Sequence, residues 1–246
     1  MAEFSLFEWI ALGLIFVWTG FVRTGIGFGG AALGLPLMLL LKPDPLFFLP
    51  VIAVHLLFFS ALTLRTRLRN VDWRYLWRSF MVMLIPKLLG ILGLLSLPPR
   101  WMTLVVFGVT FAYALMYIFD WALRTQHPWV DRVWLVVGGY ISGTSLIGAP
   151  LIVAVYLRHV AMNQLRDTLL VLWFILVTIK LSAFIVVGVD LHLDYALVLL
   201  PLAAIGHFFG LKAHDQLLRG GQRRFKRWVG VGMLLVTLVG LGQVIV

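Results

Sequence analysis

Apolar runs of about twenty residues, separated by short polar breaks, fill almost the whole chain. A helix needs a run of about this length to cross the roughly 30 Å hydrocarbon core of a lipid bilayer. The first run is longer, at residues 5–41, and it is followed by runs at residues 46–64, 75–97, 101–119, 134–157, 167–187, 194–211 and 228–245. The pattern therefore predicts an all-α integral membrane protein.

Composition agrees with a bilayer environment. Of the 246 residues, 62% are hydrophobic and 12% are charged, whereas ordinary soluble domains are about 45–50% apolar. The formal net charge of +10 resides mostly in short loops, where it orients a membrane protein, so we expect no nucleic-acid partner. The chain has no cysteine, and we expect no metal and no cofactor. The first residues lack the basic region and cleavage site of a signal peptide, so the first helix should remain in the mature protein.

Glycine spacing indicates an internal repeat. Three glycines of the first half match three of the second half at a shift of 118 residues, namely Gly20, Gly25 and Gly30 with Gly138, Gly143 and Gly148. Further along, Pro86 and Gly90 resemble Pro201 and Gly206. We predict repeat 1 at residues 1–120, a cytoplasmic linker at 121–132 and repeat 2 at 133–246, which together form one membrane domain.

Loop charge gives the orientation of the two repeats. The loop at residues 65–78 has five arginines, and the loop at 212–227 has six basic residues besides a histidine; both should be cytoplasmic. Two cytoplasmic loops require an even number of crossings between them, and four plain runs lie there. The remaining run, 134–157, is too short for two full helices, which favours a re-entrant, Gly-broken hairpin.

The result is two inverted repeats, each a Gly-broken or re-entrant first segment followed by three transmembrane helices. The alternative is a pair of parallel repeats with eight plain spanning helices, which would leave one basic loop outside the cell.

Two glycine-rich stretches, residues 24–30 and 142–148, mark the predicted site. Non-helical backbone at membrane depth persists only inside protein or around a cavity, and helix N-termini favour anions. These stretches predict half-helix ends and free amides near the middle of the bilayer. The alternative is that the glycines only permit close helix packing.

Basic groups without acidic partners lie inside the apolar runs: Arg23, His55, Lys87, Lys180 and His207. The ten carboxylates lie at run ends or in loops. Since a charge inside the bilayer is costly, such residues usually line a pathway, and positive groups indicate an anion pathway. Alternatively, the lysines extend to the membrane surface and the histidines form hydrogen bonds between helices.

Two motifs carry a resemblance to a known family. Residues 25–30, Gly-Ile-Gly-Phe-Gly-Gly, precede Leu35-Pro36-Leu37, and residues 141–150 read Ile-Ser-Gly-Thr-Ser-Leu-Ile-Gly-Ala-Pro. They are similar to the paired signatures of the sulfite exporter TauE/SafE family, over the whole chain and including the Asp72-Trp73-Arg74 turn. The resemblance implies a multi-pass carrier in the bacterial inner membrane for sulfite, a sulfonate such as sulfoacetate, or a related organic anion.

Two positions depart from the family pattern: the second stretch has fewer glycines at residues 145–148, and His55 replaces a small polar residue. Either change can alter which anion is selected.

We expect a transporter that works by alternating access at a midplane site formed by both stretches. The expected substrate-binding residues are Arg23, Thr24, Gly25, Gly27, Gly29 and Gly30 at the first stretch, Ser142, Gly143, Thr144, Ser145 and Gly148 at the second, and His55, Lys87, Lys180 and His207 in the spans. The expected partners are the small anionic substrate and the bilayer, with a coupling proton on the histidines and a homodimer left open.

Two other functions share these features. A passive anion channel would need the same residues, and an intramembrane serine hydrolase would use Ser145 with His207. The glycine stretch recurs in the first half with Gly27 at the position of Ser145, which favours a transporter over an enzyme.

Overall fold

The computed structural model describes residues 4–26, 30–64, 68–120, 127–219 and 222–245, and within these ranges it contains helices but no strand. The helices are α1 Leu6–Ile26, α2 Gly30–Leu41, α3 Pro45–Leu64, α4 Trp73–Ser96, α5 Pro99–Ile118, α6 Pro128–Ser145, α7 Ala149–His159, α8 Met162–Val187, α9 Leu193–Arg219 and α10 Gln222–Ile245, with a 3₁₀ turn at Leu68–Asn70. The prediction of an all-α membrane protein is confirmed.

Seven of the helices in the described ranges are long and apolar enough to cross a membrane: α1, α3, α4, α5, α8, α9 and α10. The apolar helices α2 and α7 are shorter, at 12 and 11 residues. The long first run is thus divided into α1 and α2, and the run at 134–157 is divided between α6 and α7. The break in the run at 134–157 lies at residues 146–148, between α6 and α7, whereas the break predicted in the first run falls on residues 27–29, outside the described residues.

Four helices extend beyond their apolar runs by more than one turn: α6, α8 and α10 at their starts and α9 at its end. Helix α6 begins at Pro128 rather than at residue 134, with a proline at its start and the acidic Asp131 in its first turn, both of which favour a helix N-terminus. Helix α9 continues to Arg219, past the end of its run at residue 211. Polar residues form helix readily in water, so much of the polar break predicted after residue 211 is helical.

The chain divides into two compact units, and each contains helices from both predicted repeats. Unit 1 comprises residues 1–48, 98–122 and 192–246, which hold α1, α2, the first turn of α3, α5, α9 and α10. Unit 2 comprises residues 49–97 and 123–191, which hold the rest of α3 together with α4, α6, α7 and α8. The repeat boundaries themselves stay predictions.

In unit 1, α1 packs against α9, and α2 folds back along α1. Helices α1 and α9 run parallel, since Gly13 faces Leu202 and, further along both helices, Gly25 faces Gly210. The chain then returns to the end at which α1 began, because the Phe4 and Phe47 rings lie 5.5 Å apart. We call α1 and α2 hairpin 1.

Unit 2 repeats this arrangement with other helices. Helix α6 packs against α4, and the two run parallel, since Gly139 faces Met83 and Gly143 faces the Lys87 backbone. Helix α7 folds back along α6, and an Asp131–Arg158 ion pair joins the start of α6 to the end of α7. We call α6 and α7 hairpin 2. The inverted relation between the repeats stays a prediction.

Candidate anion-binding site

The tip of hairpin 2 is a tight turn between two helix ends. Leu146 follows α6 with a left-handed backbone, φ 59°, a conformation that is uncommon for residues other than glycine. The turn brings Gly148 against α6 so closely that a Cβ atom on it would lie 2.1 Å from the Gly138 carbonyl oxygen. Only glycine fits at this position.

Two lysines bind the carbonyl end of α6 just before this turn. The Lys87 ammonium, from α4, donates to the Ser142 carbonyl at 3.3 Å and to the Ser142 hydroxyl at 3.2 Å. The Lys180 ammonium, from α8, donates to the Gly143 carbonyl at 2.8 Å and to the Thr144 carbonyl at 3.2 Å. Both lysines are fully buried. They therefore do not extend to the membrane surface.

No carboxylate in the described part of unit 2 is placed to neutralise these lysines. Asp131 lies eleven residues before Ser142 on α6, which is about 16 Å along a helix. Asp167 lies thirteen residues before Lys180 on α8, which is about 20 Å. The unit's other carboxylates are Asp72, at the start of α4, and Asp190, beyond the end of α8. The pair is thus a concentration of positive charge.

Some hydrogen-bonding capacity at the tip stays unused among the described residues. An ammonium group has three N–H donors, and each lysine uses two. The hydroxyls of Thr144 and Ser145 donate to the Ile141 carbonyl, each at 3.0 Å. The Ser142 hydroxyl instead accepts a bond from Lys87, which leaves its own proton available. Three donors therefore remain: one on each lysine and one on Ser142.

The chemistry of the tip differs from the prediction in one respect. The sequence predicted half-helix ends with free amides within residues 142–148, and the first part of that stretch is instead the carbonyl end of α6, which the lysines bind. The amide end belongs to α7, whose first residue is Ala149 and whose N-cap, Gly148, has no side-chain hydrogen bond. The positive charge at the tip comes mainly from side chains.

Close packing explains part of the glycine pattern. A Cβ atom on Gly143 would lie 2.3 Å from the Lys87 carbonyl oxygen, so this residue lets α4 and α6 meet backbone to backbone. That contact places the Lys87 backbone beside Gly143, so that the Lys87 side chain reaches Ser142. Glycine packing and the placement of the lysine are therefore two aspects of the same feature, not alternatives.

Hairpin 1 carries a related pair in unit 1. The Thr24 hydroxyl lies 2.6 Å from Nδ1 of His207, which is on α9. Arg23 is half-buried, and Gly30 packs against its Cβ atom and against the Thr19 carbonyl. Gly27 and Gly29, two of the expected binding residues, lie outside the described residues.

The two pairs correspond by position. Thr24 and Ser142 match at the shift of 118 residues, and each bonds a basic residue on the fourth helix of the other repeat. The sequence pattern matched Gly90 with Gly206. Packing instead matches Gly90 with Gly210, because Gly90 lies against Gly143 of hairpin 2 and Gly210 lies against Gly25 of hairpin 1.

This match places His207 at the position of Lys87, a correspondence that sequence reasoning missed. A shift of 120 residues, at which both Lys87 and Gly90 find partners in the second half, was the signal that could have shown it.

The remaining expected residues have separate places. His55 is buried in α3, in unit 2. The Ser145 hydroxyl donates to the Ile141 carbonyl, and the His207 ring bonds the Thr24 hydroxyl. A site shared by the two hairpin tips stays a prediction.

Comparison with known proteins places the chain in a family. The family model described as sulfite exporter TauE/SafE matches residues 12–240, nearly the whole chain. The chain belongs to the sulfite exporter TauE/SafE family. No curated protein and no solved structure matched it. The membrane-length helices and this family together make it a multi-pass membrane protein of a transporter family.

Proposed function

We propose that this TauE/SafE protein is a secondary transporter that carries a small oxyanion across the bacterial inner membrane by alternating access. The substrate class is sulfite, a sulfonate such as sulfoacetate, or a related organic anion. The observation that carries the proposal is the fully buried pair Lys87 and Lys180 at the tip of hairpin 2, with no neutralising carboxylate in the described part of unit 2.

The cost of burying charge supports an anionic ligand. Taking an ammonium group out of water is expensive, and carbonyl oxygens offset only part of this cost because they carry partial charges. A bound anion supplies the missing negative charge. The two lysines then replace the hydration that the anion loses when it leaves water. When the anion is absent, the unneutralised charges destabilise this conformation of the site.

The donors fit an oxyanion. Sulfite and sulfonates each present three oxygens, and the tip offers three unused donors, on Lys87, Lys180 and Ser142. Hydrogen bonds between charged groups are about twice as strong as neutral ones. A cation would find two ammonium groups at this position and would be repelled.

A broken hairpin suits a carrier. Transporters commonly bind substrate where discontinuous helices end within the membrane, and we propose that both hairpins end there. We propose that Thr24–His207 in unit 1 binds the coupling proton, since imidazole changes charge near neutral pH and occupies the position that Lys87 has in the other repeat.

Flux into proteoliposomes tests the charge assignment. We expect Lys87→Gln and Lys180→Gln each to lower the initial rate of sulfite or sulfoacetate transport by about 10-fold or more, because a hydrogen bond to a charged group contributes about 1.5–3 kcal/mol. Glutamine removes the charge and keeps N–H donors for the α6 carbonyls, on a side chain that is one bond shorter. The matched control is Lys212→Gln, an exposed lysine on α9.

Each outcome has a clear reading. Full transport in both buried variants would refute the assignment of charge to this pair. A control variant that fails equally would show that loss of any lysine impairs the protein.

Counterflow separates the carrier from a passive channel. A carrier preloaded with unlabelled anion accumulates labelled anion transiently and saturates with concentration. A channel with the same lysines shows neither behaviour, and its currents exceed carrier rates by far. Saturable counterflow that the Lys87→Gln variant loses is the expected result.

A further inference from the structure

A recess lies at the open end of hairpin 2, where α6 begins and α7 ends, and it is separate from the pair Lys87 and Lys180. It has a volume of about 90 Å³, which is room for several water molecules. It is walled by the first turns of α4 and α6 and by the end of α7, and its polar lining is Tyr75, Arg78, Ser79, Asp131, Arg132 and His159.

The helix contact closes the route from this recess to the lysines. Between them, Gly139 packs on Met83, and Gly143 packs on the Lys87 and Gly90 backbone. Backbone-to-backbone contacts leave no gap between α4 and α6. A ligand in the recess would therefore occupy its own site and would not lie on a path between these helices.

The recess carries positive charge that nothing in the described structure neutralises. Asp131 is already engaged with Arg158 and with His159, the latter at 2.6 Å. The Arg78 and Arg132 side chains make no ion pair or hydrogen bond with any described residue. Helices α4 and α6 also begin here side by side, and each start already has an acidic residue, Asp72 as the N-cap of α4 and Asp131 in the first turn of α6. The positive charge available to a ligand is therefore that of the two arginines.

The surroundings place the recess at the level of lipid headgroups. Trp77 is 46% exposed and Trp129 is 64% exposed; the first adjoins Arg78 on α4, and the second lies one turn before Arg132 on α6. Exposed tryptophans are enriched at the boundary between headgroups and acyl chains. The loop that precedes α4 is the arginine-rich one at residues 65–78, which the charge pattern assigns to the cytoplasmic side, where anionic lipids are concentrated.

We propose that this recess binds the phosphate of an anionic phospholipid from the cytoplasmic leaflet. Arg78 and Arg132 hold the phosphate oxygens, and Trp77 and Trp129 lie beside the glycerol and upper acyl region. The lipid thereby fastens the open end of hairpin 2 to the start of α4. This inference goes beyond the proposed transport activity and does not depend on it.

Lipid titration of the full chain in a neutral detergent tests the proposal, with the thermal unfolding midpoint as readout. We expect phosphatidylglycerol, but not phosphatidylcholine, to raise the midpoint in a saturable way. The double variant Arg78→Gln/Arg132→Gln should weaken the apparent affinity by about fivefold for each arginine removed. Its matched control is Arg69→Gln/Arg74→Gln, which removes two exposed arginines of the same loop region outside the recess.

A second variant fills the recess without changing charge. Val82→Trp places a large ring where Val82 lines the wall, and it should abolish the phosphatidylglycerol effect if the variant alone unfolds at about the same temperature as the parent. Equal loss of the effect in the two arginine pairs would overturn the proposal in favour of general surface attraction. An equal rise with soluble glycerol phosphate would overturn the lipid as occupant.

Discussion

Adding a single methyl group at Gly143 tests whether contact between α4 and α6 positions the lysine. In the Gly143→Ala variant the new Cβ atom would lie 2.3 Å from the Lys87 carbonyl oxygen and 3.0 Å from Gly90 Cα. Both neighbours are backbone and cannot rotate away. Ordinary contact begins at 3.4 Å, so the two helices must separate by about 1 Å.

Such a separation has two costs. Overpacking of a tight interface costs typically about 1–3 kcal/mol. In addition, the two Lys87–Ser142 bonds, at 3.2 and 3.3 Å, would lengthen past hydrogen-bonding distance, and a bond from a charged group contributes about 1.5–3 kcal/mol. We expect a total loss of about 2.5–6 kcal/mol in the free energy of unfolding, with transport reduced at least as strongly as in Lys87→Gln.

The assay compares Gly143→Ala with Gly93→Ala, which lies on α4 near the same interface. A Cβ atom on Gly93 would meet only the Tyr140 hydroxyl, at 3.7 Å, so this variant should be neutral or more stable by up to about 1 kcal/mol, the helix preference of alanine over glycine. Tryptophan fluorescence during unfolding in detergent gives the stability, and flux into proteoliposomes gives the activity. Equal stability of the two variants would refute the reasoning.

Gly90→Ala provides a further check of the same interface. Its Cβ atom would lie 2.3 Å from the Tyr140 carbonyl oxygen, so it should also force α4 and α6 apart. Once α4 and α6 have separated to admit one methyl group, a second methyl group lowers the stability little further. The Gly90→Ala/Gly143→Ala double variant should therefore lose clearly less stability than the two single variants added together.

Two buried hydrogen bonds give further predictions. Thr24→Val removes the 2.6 Å partner of His207 Nδ1 and should lower stability by about 1–3 kcal/mol; an unchanged unfolding midpoint would contradict this. Ser79→Ala removes the hydroxyl that lies 2.5 Å from the buried Tyr156 hydroxyl and should have a similar cost, whereas Ser96→Ala, at an exposed position near the end of the same helix, should change unfolding by less than about 0.5 kcal/mol.

The pattern of apolar runs predicted the positions of most of the helices. Apolar runs of membrane length predicted α3, α4 and α5 to within two residues, and α8 and α10 without their first turns. Such runs are reliable because a helix inside a bilayer must satisfy its own backbone hydrogen bonds, so length and hydrophobicity alone specify it. Helix ends in water lack that constraint, and there the prediction missed the first turns of α6 and the last turns of α9.

Parity of crossings predicted the second hairpin, and the break between Ser145 and Ala149 agrees with it. The argument needed only the signs of loop charges and a length, which are properties of the sequence. It could not predict that a lysine from α4 and another from α8 meet at Ser142 and Gly143, because these residues lie between 36 and 55 positions apart in the chain.

Local composition alone thus determined that the chain lies in a membrane, where most of its membrane-length helices lie, which basic residues fall within them and which family it resembles. Tertiary structure decided which end of α6 the two lysines meet, and that His207 bonds Thr24. The physical reason is that hydrophobicity is a property of each residue, whereas a hydrogen bond between α4 and α6 depends on the distance between the two helices. Gly90 and Gly143 set that distance through backbone-to-backbone contact.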